Sequence, residues 1–293
     1  MTDDLKPWGP EEKEAWYKRQ KIQRSYQDDV VTRLKALPED QFKLETYGAL
    51  SHDPARYPLY RVMTQPWNDE NPTVIVTGGM HGYEDSGVTG ALRFMEEEAP
   101  KYAGKVNFVI YPCISPFAYE INHRWTRYAD DPNRHCSDEG TAEESVLLMK
   151  SVKSLKMHFN AAVDLHETNY RDIDLTAERR ARDGQKLQPG DDYIPEGFYL
   201  VVPSKADVPL AHEVIEEVRK VTPICADASI LGYPADRGVI VLDDLKTLCQ
   251  DFVRKYADAG MTTEIYPDKC SRDECERAQI ATIKAAVKWV LGR

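Results

Sequence analysis

An imidazole and a carboxylate stand three positions apart in His81-Gly82-Tyr83-Glu84, immediately after the apolar run Val74-Ile75-Val76. With seven His and 49 acidic residues in the chain, about one His is expected to have an acid three places on by chance. The pair therefore counts only in company. That company is Asp164-Leu165-His166-Glu167-Thr168, where a second apolar burst again ends in a histidine. His81, Glu84 and His166 form a set of two nitrogens and one carboxylate, of the kind that holds a catalytic zinc and leaves the fourth position to water. Glu264 adds a carboxylate within the β-prone run Met261-Thr262-Thr263-Glu264-Ile265-Tyr266, where an acid needs a reason. Arg124, and Asn133 with Arg134 in Asp131-Pro132-Asn133-Arg134, bring guanidinium and amide groups suited to the capture of a carboxylate.

Open α/β sheets bind ligands beyond the carboxyl ends of their strands, and both histidines fall at such ends. Extended runs are expected at 42–47, 59–63, 73–77, 106–111, 161–165 and 197–202, with 261–267 as a late strand. Helical periodicity is expected over 86–98, 143–155, 211–220, 242–256 and 273–291. Ahead of them, Trp16, Ile22, Tyr26, Val30 or Val31, and Leu34 space an amphipathic lead-in helix within 10–37. Strands and helices alternate without linker or repeat, which predicts a single α/β domain over 1–293 with 1–38 as helical lead-in. The stretch Thr168 to Pro195, rich in charge, Gly and Pro, reads as a long functional surface loop.

There is no G-x-S-x-G elbow, no phosphate loop and no G-x-G-x-x-G. The order H-x-x-E, then R followed by D-P-N-R, then D-L-H, then T-E resembles the zinc carboxypeptidase family, the carboxypeptidase A type of metallopeptidase, including its cytosolic bacterial members. The resemblance spans Val74 to Pro267. It implies a mixed central β-sheet flanked by helices and one zinc ion per chain on His81, Glu84 and His166. It further implies Glu264 as general base, Arg124 as the group that polarises the scissile carbonyl, and Asn133 with Arg134 as holders of the substrate's terminal carboxylate. Asp131 resembles the acid that orients the first metal histidine. Arg127 competes with Arg124 for its role, and Tyr233 and Tyr256 are the candidates for a substrate-covering tyrosine. The substrate implied is a peptide with a free carboxylate. An acylated amino acid, as in the succinylglutamate desuccinylase and aspartoacylase group, or a cell-wall peptide shares the same motifs. A binding module that keeps the pocket without turnover is the reading from another class.

Composition narrows the partners. The 38 basic against 49 acidic residues leave a net charge of −11, which argues against nucleic acid. No run reaches the roughly 18 apolar residues of a membrane helix. The acidic start Met1-Thr2-Asp3-Asp4 lacks the basic flank and apolar core of a secretory signal, so a cytoplasmic location is expected. The six scattered cysteines do not look like a disulfide framework, and reduced thiols are expected with it.

Overall fold

The computed structural model describes residues 5–243 and 248–292. The apolar bursts become strands: β1 (Phe42–Ala49), β2 (Pro58–Thr64), β3 (Thr73–Gly78), β4 (Asn107–Tyr111) and β5 (Ala161–Glu167). They are followed by β6 (Tyr199–Val202), β7 (Ser229–Ile230), β8 (Tyr233–Asp236), β9 (Val239–Val241) and β10 (Gly260–Ile265). The helices are α1 (Pro10–Arg19), α2 (Thr32–Lys35), α3 (Asp85–Glu97), α4 (Pro116–Glu120) and α5 (Glu143–Leu155), then α6 (Arg171–Arg182), α7 (Val208–Val218), α8 (Cys249–Arg254) and α9 (Arg272–Leu291).

Among the described residues the strands form one mixed sheet in the order β1-β2-β4-β3-β5-β10-β6-β9-β8-β7. Its centre is parallel, β4 to β3 to β5 to β10, and every residue of β3, β4 and β5 is buried. Alternation along these strands serves two cores. Val74, Val76, Val163 and Leu165 face one side, which α3, α7 and α9 cover. Ile75, Val109 and Ala162 face the other, where α5 and α8 pack. The fold is a mixed α/β domain, as expected. Among the described residues no helix is long and apolar enough to cross a membrane.

Four expectations are corrected. The lead-in is two pieces: α1 ends at Arg19, and the next helical turn begins at Gln27. The break is held open by tertiary bonds, since Gln23 and Arg24 N–H groups both donate to the Glu120 carbonyl. The helix expected over 242–256 is observed as Cys249–Arg254, with 244–247 outside the described residues. The stretch expected as a loop contains α6, three turns of helix. Cys136 and Cys249 are disulfide-bonded, with Cα atoms 5.0 Å apart across a sequence separation of 113. Such a pair leaves no local spacing to read. It ties the turn Pro132–Arg134 to the start of α8, and Cys249 N donates to Asn133 Oδ1 at 3.0 Å.

Candidate active site

The backbone after β3 is what brings His81 and Glu84 together. Gly79 has φ +63°, a left-handed conformation that suits glycine, and a Cβ there would meet Val88 Cγ2 at 2.7 Å. Gly82 passes so close to α4 that a Cβ would lie 1.9 Å from the Ala118 carbonyl carbon. On β5, alternation puts Asp164 and His166 on one face. On the adjacent parallel strand β10, Thr262 is opposite Asp164 and Glu264 opposite His166, so Glu264 joins that face. Gln279 of α9 pins this corner: its Oε1 accepts from Thr263 Oγ1 at 2.7 Å, and its Nε2 donates to the His166 carbonyl at 3.0 Å.

His81 Nδ1 lies 2.6 Å from Glu84 Oε1, and His166 Nδ1 lies 2.7 Å from Glu84 Oε2. The other ring nitrogens face carboxylates, His81 Nε2 toward Asp131 and His166 Nε2 toward Asp164, both at 3.1 Å. Ligand-capable atoms of His81, Glu84 and His166 all lie within 4.8 Å of one another. Each ring therefore turns one nitrogen inward and commits the other outward, the arrangement that sets the tautomer of a metal-binding histidine. With the outer N–H given to Asp131 or Asp164, the inner nitrogen presents a lone pair. Two lone pairs and a carboxylate converging on one point need a cation, and this donor set suits zinc. A proton can stand in for it. Burial disfavours a charged His166 ring, but Glu84 and Asp164 outweigh burial and hold its pKa well above the imidazole range.

Asp131 links the metal group to the arginines. Its Oδ2 accepts from Arg124 Nε at 2.9 Å, and its Oδ1 accepts from Asn133 N at 3.0 Å as the cap of the Pro132–Arg134 turn. Burial alone would raise its carboxyl; Arg124 and His81 more than offset it and hold Asp131 well below the usual carboxylate range. Arg124 Nη1 donates to Tyr83 Oη at 3.3 Å and lies 3.8 Å from Glu84 Oε1. Glu264 accepts from Thr168 Oγ1 at 2.7 Å. Burial pushes its pKa up to about 8, with Glu84 and Asp172 adding to the rise while His166 and Thr168 oppose it.

His81, Glu84, His166, Glu264, Arg124, Asn133 and Arg134 all line one pocket of about 400 Å³. Arg127 does not: its Nη2 donates to Glu14 at 2.9 Å, and its guanidinium lies over the Tyr17 ring. His123 packs between Trp16 and Trp125, and His135 accepts from Thr141 N, both away from this pocket. Tyr233 and Tyr256 are not among its lining residues either; the exposed tyrosine at the pocket is Tyr193. Sequence reasoning missed this residue and the whole face of α6. Asp172, Leu175, Thr176 and Arg179 line the pocket, and their offsets of three, four and seven are one side of a helix. That spacing was the available signal.

No family model matches the chain, and no curated protein matches it by sequence. Solved structures do. A candidate metallopeptidase from Shewanella amazonensis has 19% identity and a TM-score of 0.70, over 93% of this chain and 99% of that one. A metallo-carboxypeptidase from Burkholderia cenocepacia has 12% identity and a TM-score of 0.61, over 90% of this chain and 68% of that one. Bovine thrombin-activatable fibrinolysis inhibitor, in complex with a tick carboxypeptidase inhibitor, has 13% identity and a TM-score of 0.61, over 94% and 99%. At these identities the likeness is one of backbone, and on that ground the chain has the fold of the zinc carboxypeptidases.

Proposed function

We propose that the chain is a zinc-dependent metallocarboxypeptidase that hydrolyses the amide bond next to a free carboxylate. The observation that carries this reading is the convergence of seven candidate residues, from four separate segments of sequence, on one pocket. His81, Glu84 and His166 would hold one zinc ion per chain. When bound, zinc supplies a Lewis acid and lowers the pKa of water from about 15.7 toward roughly 7.

The remaining roles belong to the protein's own groups. Glu264 takes a proton from the attacking water and passes it to the amine nitrogen as the carbon–nitrogen bond breaks. Burial raises the affinity of this carboxylate for the proton it takes. Arg124 faces the developing oxyanion, its Nε committed to Asp131 and its Nη2 without a hydrogen bond among the described residues. Asn133 has its Oδ1 occupied by Cys249 N, which leaves Nδ2 to donate to the terminal carboxylate beside the Arg134 fork.

Elemental analysis of the purified chain tests the metal, and three assays test the substrate: a carboxyl-terminal peptide, an N-acyl amino acid and a cell-wall tripeptide. Near-stoichiometric zinc with release of carboxyl-terminal residues is the expected result. Zinc with cleavage of only the second or third substrate would move the reading to that amide. No metal uptake after zinc reconstitution would end it.

A further inference from the structure

Four arginines lie on α6, and three are engaged. Arg171 Nη2 donates to the Asn122 carbonyl, Arg180 makes a two-point pair with Asp191 at 2.9 and 3.0 Å, and Arg182 donates to Asp183 and lies over the Trp125 ring. The guanidinium of Arg179, on the pocket-facing side of the helix, makes no hydrogen bond or ion pair among the described residues. The guanidinium of Arg134, also lining the pocket, makes only one hydrogen bond among the described residues, from Nη1 to the neighbouring Asn133 carbonyl at 3.3 Å.

Among the described residues no carboxylate lining the pocket makes a hydrogen bond or ion pair with either guanidinium, and most of these acids are committed elsewhere. Glu84 faces two imidazoles, Asp131 takes Arg124 and His81, and Asp191 takes Arg180. Asp172 accepts from Tyr83 Oη at 2.5 Å. Burial pushes the Arg179 guanidinium below its usual range, and the like charges of Arg180, Arg124 and Arg134 push it further. Two guanidinium forks left open to one cavity are built to receive anions, since each matches a carboxylate with two parallel N–H bonds.

We infer that the pocket takes a substrate with two carboxylates, the terminal one on Arg134 and a second on Arg179. This rests on the reading of Arg134 given above and makes Arg179 a specificity-determining residue. The second carboxylate has two possible sources: the side chain of an acidic carboxyl-terminal residue, or an acyl group on the other side of the scissile amide.

Calorimetric binding to the full chain tests this without requiring turnover. One ligand pair is N-acetyl-L-glutamate against N-acetyl-L-glutamine, the other N-succinyl-L-leucine against N-butanoyl-L-leucine. The expected result is a preference of at least about tenfold for the diacid of one pair, close to 1.4 kcal/mol. Which pair shows it identifies the source. Arg179→Gln should abolish the preference while leaving the monocarboxylate's affinity within about twofold, and Arg179→Lys should keep part of it. Equal binding within both pairs, no binding of any ligand, or a preference that survives Arg179→Gln would overturn the inference. A preference lost in Arg179→Gln supports it even if the zinc-loaded chain hydrolyses nothing, so the two readings fail separately.

Discussion

The floor and the roof of the pocket handle charge in opposite ways. On the floor, made by β3, β5, β10 and the turn at Pro132–Arg134, buried charges come in interlocked sets: two imidazoles on one carboxylate, each backed by a further acid, and Arg124 on Asp131. On the roof, α6 and the chain up to β6 are half-exposed, and a cation faces the cavity without a protein partner among the described residues. A buried charge that loses its partner costs several kcal/mol, whereas an exposed one costs little. The floor therefore tolerates almost no substitution, and the roof is free to specify what enters.

The sharpest way to test this contrast is His166→Ala, which leaves Glu84 and Asp164 facing an empty corner. Metal content should fall from near one ion per chain to background, and hydrolysis with it, by elemental analysis and assay of the same preparation. Glu264→Gln should act differently on the same floor: metal retained, and kcat lowered by roughly 10² to 10⁴-fold, read in steady-state kinetics.

Glu144 tests the rule that floor charges must be paired. It is buried on α5, next to Ser145, whose hydroxyl donates to the Pro132 carbonyl beneath the floor, and it makes no ion pair among the described residues. Burial pushes its pKa from 4.5 up to about 8. The folded chain thus keeps a proton that the unfolded chain gives up near 4.5, so stability is lost as pH rises from there to about 8. Glu144→Gln does not titrate. It should match the wild type at pH 4 and exceed it at pH 8 by on the order of a few kcal/mol in denaturant unfolding. An equal gain at both pH values would contradict the assignment.

The smallest effect belongs to the roof. Arg180→Ala breaks the pair with Asp191 and should leave the midpoint of thermal unfolding almost unchanged while limited proteolysis between 183 and 198 speeds up. A large fall in the midpoint would erase the distinction between floor and roof.

The same contrast explains what could be read from the residues alone. His81, Glu84 and His166 were legible because each follows an apolar burst whose strand character is strong, and because their types together specify a metal. Glu264 was legible because a carboxylate is costly on a buried strand without a purpose. The α6 helix was not, because the side that holds its pocket residues, Asp172, Leu175, Thr176 and Arg179, faces a polar cavity. Its apolar residues, Ile173, Leu175, Ala177 and Ala181, are sparse among charged ones, so the segment reads as a charged loop although the amphipathic spacing is present. The disulfide and the break after Arg19 were hidden for a related reason: both depend on partners about a hundred residues away.

One detail of the sheet order gives the roof an independence of its own. The chain leaves the sheet at the end of β5 and re-enters at the start of β6, and these two strands are the two neighbours of β10. Its ends are thus separated by two strand spacings, roughly 10 Å. A segment anchored at two such close points can be lengthened, shortened or replaced for a modest entropic cost, because loop closure depends only weakly on length. Residues 170–196 are therefore the part of the pocket wall that a graft can replace to change selectivity, leaving the Thr168 bond to Glu264 and the ladder that sets His166 beside Glu264 intact.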